Sequence, residues 1–385
     1  MKNTDVKRFS LGRYSVALPV ALTMAGIVAA PQASLSSARD GLNLFMTVVL
    51  PSLLPFFICS RLLLGTPLIE DAGRLLEPVM RPLFGCPGCT AFALLISLLS
   101  GYPAGARTVA LLYEQGRLRD DELKRAASLC STSGPLFMLG AVGSGLFGSA
   151  SAGWVILAGH ALAVILTGIA AGGVRRRRED RAASPAVYRA ARPVGEMLSD
   201  AVRGAMSSIA MVGGFIVLFS VLTGLAAHFQ LSDAVSRMLA SPLRALRLPQ
   251  ELGSALLPGL VEMTAGCRQA ALAGPSEPAL WAASCAIVTW GGLSVQAQSM
   301  AFLSGTPLSF GRFSAMKGIQ AALAFGLCLL LAEATGAEQT AACFPAGPPA
   351  VAAGVSSLFL AIGAASLLVS LSLVQRALDG RPRSR

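Results

Sequence analysis

Long apolar runs separated by short charged stretches organise the chain. A membrane-spanning helix needs about 20 apolar residues. Runs near that length occur at Leu42–Leu64, Ala126–Phe147, Trp154–Val174, Ala205–Leu225, Ala279–Met300, Ser314–Leu331 and Ala352–Val374, and each predicts a span. A shorter run, Ser15–Ala30, follows Lys2, Lys7, Arg8 and Arg13, and Ala33 offers a small-residue cleavage site. It reads either as a retained helix or as a signal peptide. Two further runs, Cys89–Ala106 and Leu252–Gly266, are short and end in Gly or Pro clusters. Each follows a stretch mixing Leu with Arg and Glu, at Ile69–Leu83 and Leu231–Leu248, which predicts an amphipathic helix along the membrane interface. The short runs are predicted to be re-entrant, since irregular backbone is tolerated at membrane depth only where protein or a polar cavity surrounds it.

Composition narrows the class. Of 385 residues, 54% are hydrophobic and 13% charged, against a charged share of about 25% in soluble domains. Mean hydropathy is +0.64. A soluble domain, a disordered chain, collagen and a coiled coil are all excluded. The chain is read as an all-α polytopic membrane protein whose first partner is the lipid bilayer.

An internal repeat shapes the rest. Ser60, Leu62, Pro82, Leu83, Ala104, Gly105 and Arg107 recur as Ser220, Leu222, Pro242, Leu243, Ala265, Gly266 and Arg268 at a nearly constant offset, and Gly134 matches Gly292. Each half reads as span, interfacial helix, short interrupted run, Gly-broken span and final span. The expected organisation is an N-terminal membrane segment over 1–40, repeat 1 over 41–174, a basic linker over 175–197, repeat 2 over 198–334, and a last span with a basic tail over 335–385. The Lys/Arg bias puts Arg175–Arg192, Arg107–Arg125 and the C-terminus on the cytoplasmic side. Arg237, Arg244, Arg247 and Arg268 then lie outside, against that bias. An odd number of crossings per repeat makes the repeats inverted, the arrangement of many secondary transporters with a site at the midplane.

The net charge of +11 does not point to nucleic acid. The basic clusters, such as Arg175-Arg176-Arg177-Arg178, follow apolar runs as membrane anchors do, rather than forming a basic face interleaved with aromatics. Cys86-Pro-Gly-Cys89 has the spacing of a redox motif or a zinc half-site, but the histidines, His160 and His228, are far off in sequence. A Pro-Gly turn flanked by thiols is the simpler reading. There is no HExxH, GxxxxGK[ST], Ser-His-Asp order or paired Asp motif, so no enzyme, metal or cofactor is expected. Transport would run on gradients or by facilitated diffusion.

Candidate chemistry lies at the interruptions. Gly101, Tyr102, Pro103 and Gly105 end the first short run; Glu262, Thr264 and Gly266 end the second. Thr132, Ser133, Gly134 and Pro135 break the following span of repeat 1. Gly291, Gly292 and Ser294, with Gln296 and Gln298, loosen its counterpart in repeat 2. Gly and Pro free backbone N–H and C=O groups there, and exposed helix ends attract ions. The alternative use of such glycines is close helix packing. Glu262 is a carboxylate in an apolar run, expected either to bind a coupling proton or cation or to be held neutral. Arg107 and Arg268 are possible contacts for a small anionic substrate. His160 reads as a packed core residue.

The chain resembles the YlbJ-type sporulation integral membrane proteins with a nucleoside-recognition Gate domain. The resemblance is carried by Leu53-Leu54-Pro55-Phe56-Phe57, Leu76 to Phe84, Ser100-Gly101-Tyr102-Pro103-Ala104-Gly105-Ala106-Arg107, Ser133-Gly134-Pro135-Leu136-Phe137, Glu262 to Cys267 and Trp290 to Gln298. It covers about residues 40 to 335. It implies a role in endospore formation, movement of dipicolinate across a forespore or mother-cell membrane, and kinship with concentrative nucleoside transporters. A non-transporting membrane scaffold or regulator of sporulation, or a nucleoside transporter, are the alternatives.

Overall fold

A computed structural model describes residues 17–64, 66, 68–173, 193–245, 249–274 and 278–335. Every regular element among them is helical. The expected span Ala352–Val374, the basic tail and most of the basic linker lie outside the described residues.

Helix α1 (Ala17–Ala29) turns by 107° into the helix that starts at Pro31. A residue before proline is pushed out of the helical region, and Ala30 sits at φ −131°, ψ 64°. Helix α2 (Pro31–Leu44) runs through π-helical turns at Phe45–Val49 into α3 (Leu50–Leu64). Pro51 and Pro55 lack an N–H, and a wider π turn just before them accommodates the lost bonds. The run expected to span at Leu42–Leu64 is therefore the second part of a longer helix.

Helix α9 (Val194–His228) is its counterpart in repeat 2, and the two lie side by side. Gly224 packs on Ser37, Gly41 on Ser220, Gly213 on Phe45 and Gly204 on Arg61. Residue numbers rise along one helix as they fall along the other, so the pair is antiparallel. Small residues at the contact let the backbones approach, as in lipid-embedded packing. Ser60 and Ser220 are repeat equivalents on these two helices, and equivalent helices lying antiparallel is what an inverted repeat requires.

The remaining elements recur in the same order. Repeat 1 has α4 (Leu68–Phe84), α5 (Thr90–Ser100), α6 (Tyr102–Glu114), α7 (Asp120–Leu129), a π-helical segment Phe137–Leu146 and α8 (Ala150–Gly173). Repeat 2 has α10 (Leu231–Ala245), α11 (Leu252–Val261), α12 (Met263–Ala273), α13 (Pro278–Trp290), α14 (Gly292–Phe302) and α15 (Phe310–Thr335). Helices α8, α9 and α15, and α13 with α14 together, are long and apolar enough to cross a membrane. The span expected over Ala126–Phe147 is broken at the Thr132–Pro135 stretch into α7 and the π-helical segment. Arg107 is not in a loop but inside α6.

The long helix of each repeat leans on the broken helix of the other. In α8, His160 Nδ1 and the Thr289 hydroxyl of α13 are 2.9 Å apart; in α15, the Gln320 amide donates to the Ser128 hydroxyl of α7 at 3.4 Å. One apolar core joins Met138, Val142 and Ile156 of repeat 1 to Leu280, Val288 and Cys328 of repeat 2. A second joins Val109, Leu112 and Leu129 to Leu303 and Phe313. The outside is apolar as well: Val28, Leu75 and Leu136 are 80%, 76% and 78% exposed. Apolar side chains that open belong to lipid rather than water.

Candidate functional site

The first hairpin, α5–α6, turns at Gly101, whose φ of +87° is a conformation L side chains rarely adopt. Its tip rests on the non-helical stretch 131–134 that separates α7 from the π-helical segment. A Cβ on Gly134 would stand 3.5 Å from the Leu98 carbonyl oxygen and 3.9 Å from Gly101 N. Ser97 ties the two together: its hydroxyl accepts from Thr132 N at 3.0 Å and lies 3.0 Å from the Thr132 hydroxyl. At Gly105 the backbones touch, since a Cβ there would come within 2.0 Å of the Cys130 carbonyl oxygen.

The second hairpin, α11–α12, turns at Glu262, which is extended at φ −142° and ψ 123°. Its carboxylate accepts from Thr264 N at 3.0 Å and Ala265 N at 2.7 Å, capping the otherwise unpaired N–H groups that open α12. This tip meets the break between α13 and α14. A Cβ on Gly292 would stand 2.9 Å from the Val261 carbonyl oxygen and 3.1 Å from Glu262 Cα. The Trp290 indole donates to the Leu260 carbonyl at 3.1 Å. Below the break, the Gln296 amide donates to the Trp290 carbonyl at 3.1 Å and accepts from the Ser314 hydroxyl at 2.6 Å, while the Gln298 amide donates to Ser294 at 3.3 Å.

Tyr102 joins the two halves. Its ring lies 3.5 Å from where a Cβ on Gly291 would stand, and its hydroxyl donates to the Val288 carbonyl. Over the same ring, at 5.1 Å, sits the ammonium of Lys317 from α15. Lys317 Nζ donates to the Ser131 carbonyl at 2.8 Å and to Gln320 Oε1 at 2.9 Å. The Gln320 amide in turn donates to Thr167 at 3.0 Å. All four helix interruptions thus adjoin one another in one contiguous region, buried at Tyr102, Ser131 to Gly134, Gly291 and Gly292 and half-buried at Gly101 and Glu262.

The other expected residues are placed as follows. Thr132, Ser133, Ser294, Gln296 and Gln298 are buried; Pro103, Pro135 and Glu262 are half-buried. Thr264 and Arg268 are exposed. Arg107 is buried but turned toward the long helices, donating to the Gly204 carbonyl at 3.0 Å and stacking 4.8 Å over Phe57. Cys86 and Cys89 flank a tight turn in which Gly88 N donates to Glu77. Burial pushes the Cys86 thiol up to about 12 and the Cys89 thiol to about 11, leaving little thiolate for redox chemistry.

Lys317 and Gln320 escaped the sequence reading. The available signal was the one that singled out Glu262, an ionisable side chain inside an apolar run. The assembled groups are hydroxyls, amides, backbone ends and one ammonium. Such groups offer hydrogen-bond donors and acceptors of the kind that meet a polar solute.

A family model described as nucleoside recognition, the Gate model, matches residues 46–152. The chain is 36% identical over 327 residues to the sporulation integral membrane protein YlbJ of Bacillus subtilis (strain 168), with 80% of this chain and 79% of that one covered. No solved structure matches.

Proposed function

The chain belongs to the YlbJ family of sporulation integral membrane proteins, and from that membership we propose that it is a secondary transporter of a small polar anion, dipicolinate, across a membrane of the developing spore. One observation carries the reading. Two hairpin tips and two helix breaks, one of each from either half, pack into one contiguous region: Gly101 against Gly134, Gly292 against Val261 and Glu262, Gly291 against Tyr102. Backbone groups freed at membrane depth must face each other, water or a solute, and inverted repeats bring such breaks to the site between them. Antiparallel packing of α9 on α2 and α3 supports the inversion. The sequence carries no GxxxxGK[ST] loop, and the proposed movement runs on a solute or ion gradient.

Uptake of labelled dipicolinate into proteoliposomes tests the proposal, with nucleosides as controls. Saturable dipicolinate uptake is expected. Uptake of nucleosides alone would favour the second reading, which the Gate match supports. Uptake of neither would favour a scaffold or regulatory role. In the proposed orientation the linker 175–192 and the C-terminus are cytoplasmic. A cysteine placed at Ser184 in a Cys-free background should resist impermeant reagents added outside intact cells.

A further inference from the structure

Lys317 is 1% exposed, and none of the ion pairs among the described residues involves it. A buried ammonium is costly unless a negative charge lies beside it. Its two hydrogen bonds go instead to neutral oxygens, the Ser131 carbonyl and Gln320 Oε1. A second observation points to the same place. Ser131 is 0% exposed, and its hydroxyl has no hydrogen-bond partner. Within the stretch 131–134, the backbone amide with a partner among the described residues is that of Thr132. Among the described residues, a positive charge without a counter-charge, an unpaired hydroxyl and amides without a partner therefore adjoin one another. All can donate and together they favour an anion.

We propose that Lys317 and the stretch 131–134 form a carboxylate-binding site, with the Lys317 ammonium as counter-charge and the Ser131 hydroxyl donating to the same group. The inference rests on the transport reading and names the group that recognises the anion. Lys317 comes from repeat 2 and Ser131 from repeat 1, so a bound carboxylate bridges the halves whose relative movement would carry it. The Tyr102 ring beneath the ammonium supplies a flat apolar wall beside the charge.

The test is equilibrium binding to the purified full-length chain in nanodiscs. The probes are pyridine-2,6-dicarboxylate, pyridine-2-carboxylate, the neutral pyridine-2,6-dicarboxamide and uridine. Lys317→Met should weaken dicarboxylate binding by roughly a hundredfold or more, the range for removing one partner of a buried charge pair. It should also abolish discrimination between the dicarboxylate and the diamide, whereas Lys317→Arg should retain most of both. Gln320→Glu guards against a folding defect. It places a carboxylate on Lys317 from within, and should leave a folded protein that has lost binding of the dicarboxylate. Folded Lys317→Met that binds the dicarboxylate within about twofold of the unaltered chain would overturn the site while leaving the transport reading in place. Lys317-dependent binding of the monocarboxylate without the dicarboxylate would support the site and overturn the choice of dipicolinate. Binding of uridine alone, or of no probe, would overturn both.

Discussion

The two repeats share an order of elements but solve the same problem at the hairpin tip in opposite ways. Repeat 1 turns at Gly101, and no side chain caps the helix that follows. Repeat 2 turns at Glu262, whose carboxylate caps the next helix itself. The first tip depends on a backbone conformation suited to glycine, and leaves hydrogen-bonding capacity open where it meets 131–134. The second closes that capacity internally. The charge that enters the open side, Lys317, comes from the other repeat. A shared order of elements thus supplies a common frame, and sequence divergence places a cation at one break and a self-satisfied carboxylate at the other.

Equivalent substitutions can break that comparison. The largest effects are expected at Gly105 and Gly266, which are repeat equivalents. A Cβ on Gly105 would meet the Cys130 carbonyl oxygen at 2.0 Å, and one on Gly266 the Gly259 Cα at 2.3 Å. Alanine at either should cost about 1–3 kcal/mol or more in thermal unfolding. Gly105→Ala should also reduce uptake more than Gly266→Ala does, because it parts the hairpin from the broken helix of the candidate site. The other contact lies within its own hairpin.

The bonds between halves come next. Gln320→Leu removes a partner of Lys317 and of Ser128 and Thr167, and should cost about 2–3 kcal/mol. His160→Leu should cost about 1 kcal/mol or less, since Thr289 still donates to the Cys285 carbonyl. Equal losses in unfolding experiments would contradict the larger number of bonds that Gln320 makes across the halves.

Removing the cap by Glu262→Ala should lower stability by about 1 kcal/mol and leave the pH profile of uptake unchanged. A shifted profile would support the expectation that Glu262 carries a coupling proton. Ser133→Ala should change stability by about 1 kcal/mol or less, yet substrate binding should weaken about threefold to tenfold. An unaltered affinity would place the substrate away from that break.

Much of this was legible along the chain because lipid makes local demands. A spanning segment must be long and apolar, and a break within it must carry Gly, Pro or a capping group. Gly101, Gly134, Glu262 and Gly291 are visible for that reason, as is the recurrence from Ser60 to Ser220. Boundaries were less legible where the same apolar composition fits a helix, a π turn or an extended stretch. In Ala126–Phe147 the break at Ser131–Pro135 was visible, but the π turns of Phe137–Leu146 were not, because that apolar composition fits an α-helix equally well.

The sequence by itself determined the class, the positions of the breaks and the repeat, since each follows from residues close together in the chain. Tertiary structure alone decided which break meets which, that α9 runs antiparallel to α2 and α3, and that Lys317 reaches Ser131, 186 positions away. It also turned Arg107 toward Phe57 and left Arg268 on the outside, although both hold equivalent places in the repeat. A charge within an apolar run signals a constraint, but its partner is chosen by packing between distant helices, and no local rule encodes that choice.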